Sequence, residues 1–242
     1  METKRSKFIK EGFIKIDQLI TTDEVDTLRT IYDKLLQDKA KTAHLRSDLA
    51  GADNSADRKV ERITQIMRPS TIVQELIENT AYKKAEQWAK DLLGQDMELD
   101  FDMMINKAPN TNTPTPWHQD AAYWIAMPDK RSASCWIALD KVFEENGCMW
   151  FIPKTEGTPI LPHKNLPNGG ALYCEIDSSK AVSIPLNPGG CTFHDGFTLH
   201  FSQGNATETQ RRALILNFRP KKMIEFEREQ GVDHTGERKQ RN

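Results

Sequence analysis

The sequence lacks a dominant charge: 33 basic against 35 acidic residues leave a formal net charge of −2. So balanced a chain offers no field for holding DNA, RNA or an anionic membrane surface, and nucleic acid drops out as an expected partner. No apolar run approaches the roughly 18 residues of a membrane span, and no signal-peptide core follows Met1-Glu2-Thr3-Lys4-Arg5-Ser6. C-x-x-C spacing is missing too. Cys135, Cys148, Cys174 and Cys191 stand singly in apolar surroundings, as reduced thiols used for packing do. The final residues, Lys239-Gln240-Arg241-Asn242, are not the tripeptide that addresses proteins to peroxisomes. Neither internal repeats nor low-complexity segments occur. These absences point to a soluble, cytoplasmic protein, monomeric or homodimeric by default, with a small-molecule substrate and no membrane or nucleic-acid partner.

What is present divides the chain in character. Its 242 residues suit one well-buried domain. Phe8 to Ile20 alternates loosely between apolar and polar and predicts a short strand. Thr21 and Glu24 then form a capping-box pattern ahead of Val25, Leu28, Ile31, Tyr32, Leu35 and Leu36 at helical spacing. Residues 39–58 are polar and small and read as a loop, either a lid near a pocket or a solvated linker. Val60 to Met67 suits a strand or a packed turn, and the region from Ser70 to Leu93 suits helix, with Gly94 as its stop. After Gly94 the runs are short and β-prone: Met97 to Lys107, Ser132 to Leu139, Cys148 to Ile152, Ala171 to Cys174, Ala181 to Leu186, Cys191 to His194, Thr198 to Phe201 and Arg211 to Arg219. Turn clusters separate them, among them Pro109-Asn110, Glu145-Asn146-Gly147, Asn168-Gly169-Gly170 and Asn187-Pro188-Gly189-Gly190. About eight strands at this spacing predict a mainly β fold, a double-sheet jelly roll with N-terminal helices packed on one sheet. The expected organisation is one domain over 1–220, with 1–95 mostly helical support and 96–220 the β core. Residues 221–242 form a charged C-terminal tail, a surface helix or a frayed end, with too few apolar residues to anchor a core.

One stretch carries chemistry: Pro116-Trp117-His118-Gln119-Asp120-Ala121-Ala122-Tyr123-Trp124. On an extended segment His118 and Asp120 leave the same face and can grip one ion together. Two neutral imidazoles and one carboxylate on one face of an octahedral ion leave adjacent positions open, the arrangement of non-haem Fe(II) oxygenases. For the third ligand His200 is preferred among His44, His163, His194, His200 and His234, because it lies on a β-prone run upstream of Arg211-Arg212. His194 is the rival, followed by a turn-like Asp195-Gly196. An arginine there has a purpose, since 2-oxoglutarate chelating the metal would need a fixed cation for its far carboxylate. The planar guanidinium fork suits that task.

Trp117-His118-Gln119-Asp120 and the run from His200 to Ala213, His200-Phe201-Ser202-Gln203-Gly204-Asn205 through Gln210-Arg211-Arg212-Ala213, resemble the phytanoyl-CoA dioxygenase family of Fe(II)/2-oxoglutarate oxygenases. The opening EGFIKIDQLITTDEVDTLR and Glu145-Asn146-Gly147-Cys148 extend the likeness over nearly the whole chain. The resemblance implies that His118, Asp120 and His200 hold Fe(II). It also implies that Arg211 binds the distal carboxylate of 2-oxoglutarate, with Ser202 as its hydroxyl partner. Met103, Trp136 and Gln65 match positions that line or reach the co-substrate site. The chain departs from the family at Pro153-Lys154-Thr155-Glu156-Gly157, where a P-G-S-H turn is usual, and this bears on pocket shape. Related halogenases replace the metal-binding carboxylate by a small residue; Asp120 is present, which favours hydroxylation.

The reaction expected is hydroxylation of an aliphatic carbon with O₂, releasing succinate and CO₂, with ascorbate as reductant in assays. Tyr123 and Trp124, and further off Trp117 and Trp150, are the candidates for a substrate wall, though such aromatics serve equally as jelly-roll core. No basic cluster marks a site for CoA phosphates. Two other readings use the same residues: a cupin-like metal-dependent isomerase or hydrolase without 2-oxoglutarate, and a non-catalytic oxygenase-like binding protein.

Overall fold

The computed structural model describes residues 2–51, 61–155, 157–167 and 170–235. In chain order its elements are α1 (Glu2–Glu11), β1 (Phe13–Ile16), α2 (Thr22–Gln37), α3 (Lys39–Thr42), β2 (Arg46–Asp48), β3 (Ile63–Met67), α4 (Thr80–Leu93), β4 (Met97–Lys107) and β5 (Thr115–His118). There follow β6 (Ala133–Ala138), β7 (Met149–Phe151), β8 (Lys164–Asn165), β9 (Leu172–Tyr173), β10 (Val182–Ile184), β11 (Cys191–His194), β12 (His200–Ser202), β13 (Arg211–Pro220) and α5 (Lys221–Glu229).

Seven strands form one antiparallel sheet in the order β1-β11-β6-β13-β4-β3-β2, and four form a second in the order β10-β7-β12-β5. Strands β8 and β9 make a separate ribbon. Alternation along the strands decides what each face of the large sheet meets. Leu214 and Leu216 of β13, with Cys135 and Ile137 of β6, join Val25, Leu28, Tyr32 and Leu35 of α2 and Ala81, Ala85, Ala89 and Leu92 of α4 in one core. Ala213 and Ile215 turn the other way and join Trp136, Phe13, Met149 and Phe151 in a second core between the sheets. There the Phe13 and Phe151 rings stack at 4.7 Å. The result is an open jelly roll with helices on one outer face and a cavity lined by residues of both sheets.

Several local expectations shift. Phe8 to Glu11 belongs to α1, because Phe8 is a single buried side chain on a charged helix; only Phe13–Ile16 is strand, after Gly12 breaks the helix at φ +85°. The capping box at Thr21 and Glu24 forms as expected. Residues 39–48 are not a loop: Asp38 caps α3, and β2 pairs with β3 to become the edge of the large sheet. Residues 52–58 of that predicted loop lie outside the described residues, as do Glu156, Asn168, Gly169 and 236–242.

The expectation that 221–242 lacks an anchor is corrected for 221–235. Strand β4 carries a bulge: Asn217 faces Phe101 and Phe218 faces Leu99, leaving Asp100 unpaired between them. The freed carboxylate reaches Arg219, 3.3 Å away, and also Arg228 of α5. Glu227 of α5 pairs with Arg219 at 2.8 Å, and His234 Nε2 lies 2.9 Å from Glu227 and 3.2 Å from Asp100. A buried ion-pair network, not an apolar stripe, docks the C-terminal segment. Asp100, Glu227 and His234 are close enough together to suggest a cation site, but the two guanidinium groups already supply the positive charge.

Candidate active site

His118 is the last residue of β5, and His200 is its direct partner on β12. Their side chains therefore leave neighbouring strands on the same face, with ring centroids 4.1 Å apart. Asp120 comes round by a different route. Gln119 is extended, but Asp120 opens a short 3₁₀ turn through Tyr123, so the strand expected across the H-x-D ends at His118. Gln119, buried and pointing the other way, pins the loop behind: its backbone NH donates to His163 Nε2, its amide donates to Pro159 and Phe197 carbonyls, and its Oε1 accepts from Leu161 N.

Asp120 Oδ1 lies 3.7 Å from His118 Nε2 and 3.5 Å from His200 Nε2. One ligand atom from each residue falls within 4.8 Å of the others. Both imidazoles bond a carbonyl two residues back, His118 Nδ1 to Pro116 O at 2.8 Å and His200 Nδ1 to Thr198 O at 2.9 Å. A carbonyl can only accept, so each Nδ1 carries the proton and each Nε2 turns a lone pair toward Asp120.

The protonation states agree with that geometry. Burial holds both imidazoles below their ordinary pKa, His200 well below, with the neighbouring His118 adding to the shift. Burial would raise Asp120, but His200 and His194 outweigh it and keep the carboxyl far below the usual range. Two neutral imidazoles and an ionised carboxylate are the forms a divalent iron needs, so the residues fit the metal.

Arg211 opens β13 and is buried, with 1% of its surface exposed. Its Nη2 donates to Ser202 Oγ at 3.3 Å and its guanidinium lies 5.0 Å from the Trp136 ring, while Nε and Nη1 have no hydrogen-bond partner. Burial lowers its pKa to about 10, which leaves it charged at neutral pH. A buried cation with two open donors is a fitted place for a carboxylate. Arg212 faces the opposite side, forked onto Asp140 and paired with Asp33 at 2.7 Å.

A cavity of about 330 Å³ contains His118, Asp120, His200, Arg211, Ser202, Gln65, Met103 and Trp136 in its wall, and Tyr123 and Trp124 with them. Gln65 Nε2 donates to Met103 Sδ at 3.1 Å. Tyr123 accepts from Leu172 N at 2.7 Å. Trp124 stacks on the Arg219 guanidinium at 3.8 Å and lies against Gly196, where a Cβ would come within 2.2 Å of the indole. Trp117 and Trp150, expected at the substrate wall, are elsewhere. Strand alternation puts them on the far side of β5 and β7 from His118 and Phe151, with Trp117 stacked on Phe201 at 5.2 Å and Phe201 opposite Trp150.

The cavity wall also holds three of the histidines weighed as the third ligand, His44, His194 and His234, and Arg46, Ser47, Phe101, Thr115 and Thr235, for which the sequence carries no signal. For His194 a signal existed, since it was the rival ligand. Its Nε2 lies 3.3 Å from Asp120 Oδ2, the oxygen turned away from the other two histidines. Among the described residues no helix is long and apolar enough to cross a membrane.

The chain is similar to known proteins in sequence and in fold. EvdO2 from Micromonospora carbonacea var. aurantiaca is 30% identical with a TM-score of 0.76, each chain covered over 90% of its length, and a second structure of it holds 2-oxoglutarate. Peroxisomal phytanoyl-CoA dioxygenase of Rattus norvegicus is 24% identical over 235 residues, 90% of this chain and 68% of the relative. A probable alpha-ketoglutarate-dependent hypophosphite dioxygenase of Stutzerimonas stutzeri is 24% identical over 232 residues, 89% of this chain and 77% of the relative. A family model described as phytanoyl-CoA dioxygenase (PhyH) matches residues 8–213. With the match running from the first core side chain to the strand of Arg211, the chain belongs to the phytanoyl-CoA dioxygenase (PhyH) family.

Proposed function

We propose that this Fe(II)/2-oxoglutarate-dependent oxygenase hydroxylates an aliphatic carbon of a compact, uncharged small molecule, with O₂ consumed and succinate and CO₂ released. His118, Asp120 and His200 would hold the iron, and Arg211 with Ser202 would hold the far carboxylate of 2-oxoglutarate. The observation that carries the reading is Arg211: a buried guanidinium with Nε and Nη1 unpartnered, in the same cavity as the histidine and aspartate ligand atoms. Such a charge is costly to bury without a counter-anion, and a dicarboxylate bound at the triad supplies one. EvdO2, 30% identical, has been crystallised with 2-oxoglutarate, which supports the same co-substrate here.

Iron and 2-oxoglutarate together supply oxidative decarboxylation of the keto acid coupled to oxidation of a C–H bond. The protein's part is to orient and to exclude water. Trp136, Ile215, Gln65, Met103, Tyr123 and Trp124 line the same cavity as the ligand triad. A cavity of about 330 Å³ shared between co-substrate and substrate favours a small molecule. Arg46, the other guanidinium in the wall, is occupied by Glu61 at 2.7 Å and by the carbonyls of Leu35 and Leu36, so it is not available to CoA phosphates.

The test is succinate release by purified protein with Fe(II), 2-oxoglutarate, O₂ and ascorbate over a panel of neutral metabolites. Substitution of His118, Asp120 or His200 by alanine is expected to remove coupled turnover. Arg211→Ala is expected to raise the 2-oxoglutarate requirement about 10-fold or more, the loss of a charge-assisted pair. Failure of the Fe-loaded protein to bind 2-oxoglutarate would overturn the reading.

A further inference from the structure

Three polar residues that the ligand triad and the arginine leave unused form one row across three strands. His194 of β11 stands opposite Ser134 of β6, and Ser134 stands opposite Asn217 of β13. Cross-strand partners project from the same face, and this row projects toward Asp120. Asn217 Nδ2 donates to Ser134 Oγ at 2.8 Å, and the Ser134 hydroxyl donates onward to Asp120 Oδ2 at 3.0 Å. A serine hydroxyl has one proton to give, so receiving the amide from Asn217 commits that proton to the carboxylate. His194 Nε2 is 3.3 Å from the same oxygen but poorly aligned for a hydrogen bond, so the serine carries the constraint and the imidazole walls the far side. All three residues are buried.

The two oxygens of Asp120 are thus unlike. Oδ2 is held by the row, while Oδ1 faces the Nε2 atoms of His118 and His200. A carboxylate free to turn about its Cβ–Cγ bond can chelate a metal through both oxygens and fill two coordination positions. An octahedral ion with two imidazoles, one carboxylate oxygen and a bidentate keto acid keeps one position for O₂; a bidentate aspartate would fill it.

We propose that the Asn217–Ser134 relay, backed by His194, fixes Asp120 as a one-oxygen metal ligand and so preserves the open coordination position. Ser134 and Asn217 are positioning residues, and the inference rests on the assignment of His118, Asp120 and His200 as ligands.

The test uses Co(II) alone as the probe, titrated into metal-free protein and followed by visible absorption. Ser134→Ala is expected to weaken Co(II) binding 10–100-fold, the usual range when an outer partner of a ligand is lost, and to change the shape and intensity of the Co(II) bands. Asn217→Ala should act in the same direction more weakly, and Ser134→Thr, which keeps the hydroxyl, should restore the wild-type spectrum. Thermal melting of each metal-free variant separates this from general damage. The proposal is overturned if Ser134→Ala and Asn217→Ala bind Co(II) with wild-type affinity and spectrum while Asp120→Ala does not bind it. Wild-type Co(II) binding by Asp120→Ala would instead overturn the ligand assignment itself, and the relay with it.

Discussion

At the scale of single residues, the site depends on which way neighbouring side chains point. Arg211 and Arg212 are adjacent in sequence, yet one enters the cavity with two unpartnered nitrogens and the other is saturated by Asp140 and Asp33. The buried, unpaired charge of Arg211 makes a sharp prediction. Arg211→Met should leave the metal-free, ligand-free protein at least as thermally stable as wild type, since an apolar side chain of similar length removes an uncompensated cation. The same variant should lose the thermal shift that 2-oxoglutarate gives wild type. A clear fall in its ligand-free melting temperature would show that the guanidinium is already compensated. His118, Asp120, His200 and Arg211 could be picked from the sequence because chemistry restricts which residue types hold iron and a carboxylate. Ser134 and Asn217 could not, since their meaning depends on the register of β6 against β11 and β13, which no spacing along the chain encodes.

At the scale of elements, capping chemistry and hydrophobic period were legible where they are local. Helix α2 starts where Thr21 and Glu24 say it should, each side chain closing on the other's backbone NH. Thr21→Ala should cost about 1 kcal/mol of unfolding free energy, measurable by urea denaturation, with no change in metal or 2-oxoglutarate affinity because α2 lies behind the large sheet. Less legible was the opening segment. A run such as Phe8-Ile9-Lys10-Glu11-Gly12-Phe13 suits a strand or a short helix by pattern alone, and the choice falls to packing of Phe8 and the left-handed turn at Gly12. Residues 39–48, with few apolar side chains, were read as loop because an edge strand needs only one partner, and β2 finds it in β3. For the aromatics the missing information was phase: a one-residue step decides whether a tryptophan of β5 or β7 faces the cavity or the outside.

At the scale of the whole molecule, the C-terminal segment is joined to the sandwich by charge. Burial alone would raise Asp100, but His234, whose Nε2 lies 3.2 Å away, and the charges of Arg219 and Arg228 bring it down to about 2. A carboxyl depressed in the folded state adds stability above its unfolded pKa of roughly 4 and loses it as pH falls toward the folded value. Thermal melting should therefore drop between about pH 4 and pH 2 more steeply for wild type than for Asp100→Asn. At neutral pH that variant should be less stable by about 3–5 kcal/mol, since it leaves Arg219 and Arg228 without a full complement of negative charge. An equal acid dependence in the two proteins would remove Asp100 from the account.

The same network has a consequence for the shape of the cavity. Its His234 ring lies tilted against Phe101 with centroids 4.3 Å apart, and His234 and Thr235 contribute to the cavity wall, beyond the residues 8–213 that the family model matches. Arg219 ties that segment to Trp124 on the opposite wall. The proposed metal ligands and co-substrate clamp lie between residues 118 and 211, whereas part of the surface a substrate would touch comes from the C-terminal segment held by these ion pairs. The ion pairs that hold this segment therefore also shape the cavity, and replacing residues 221–235 is expected to change which molecule fits while leaving the proposed ligand side chains in place.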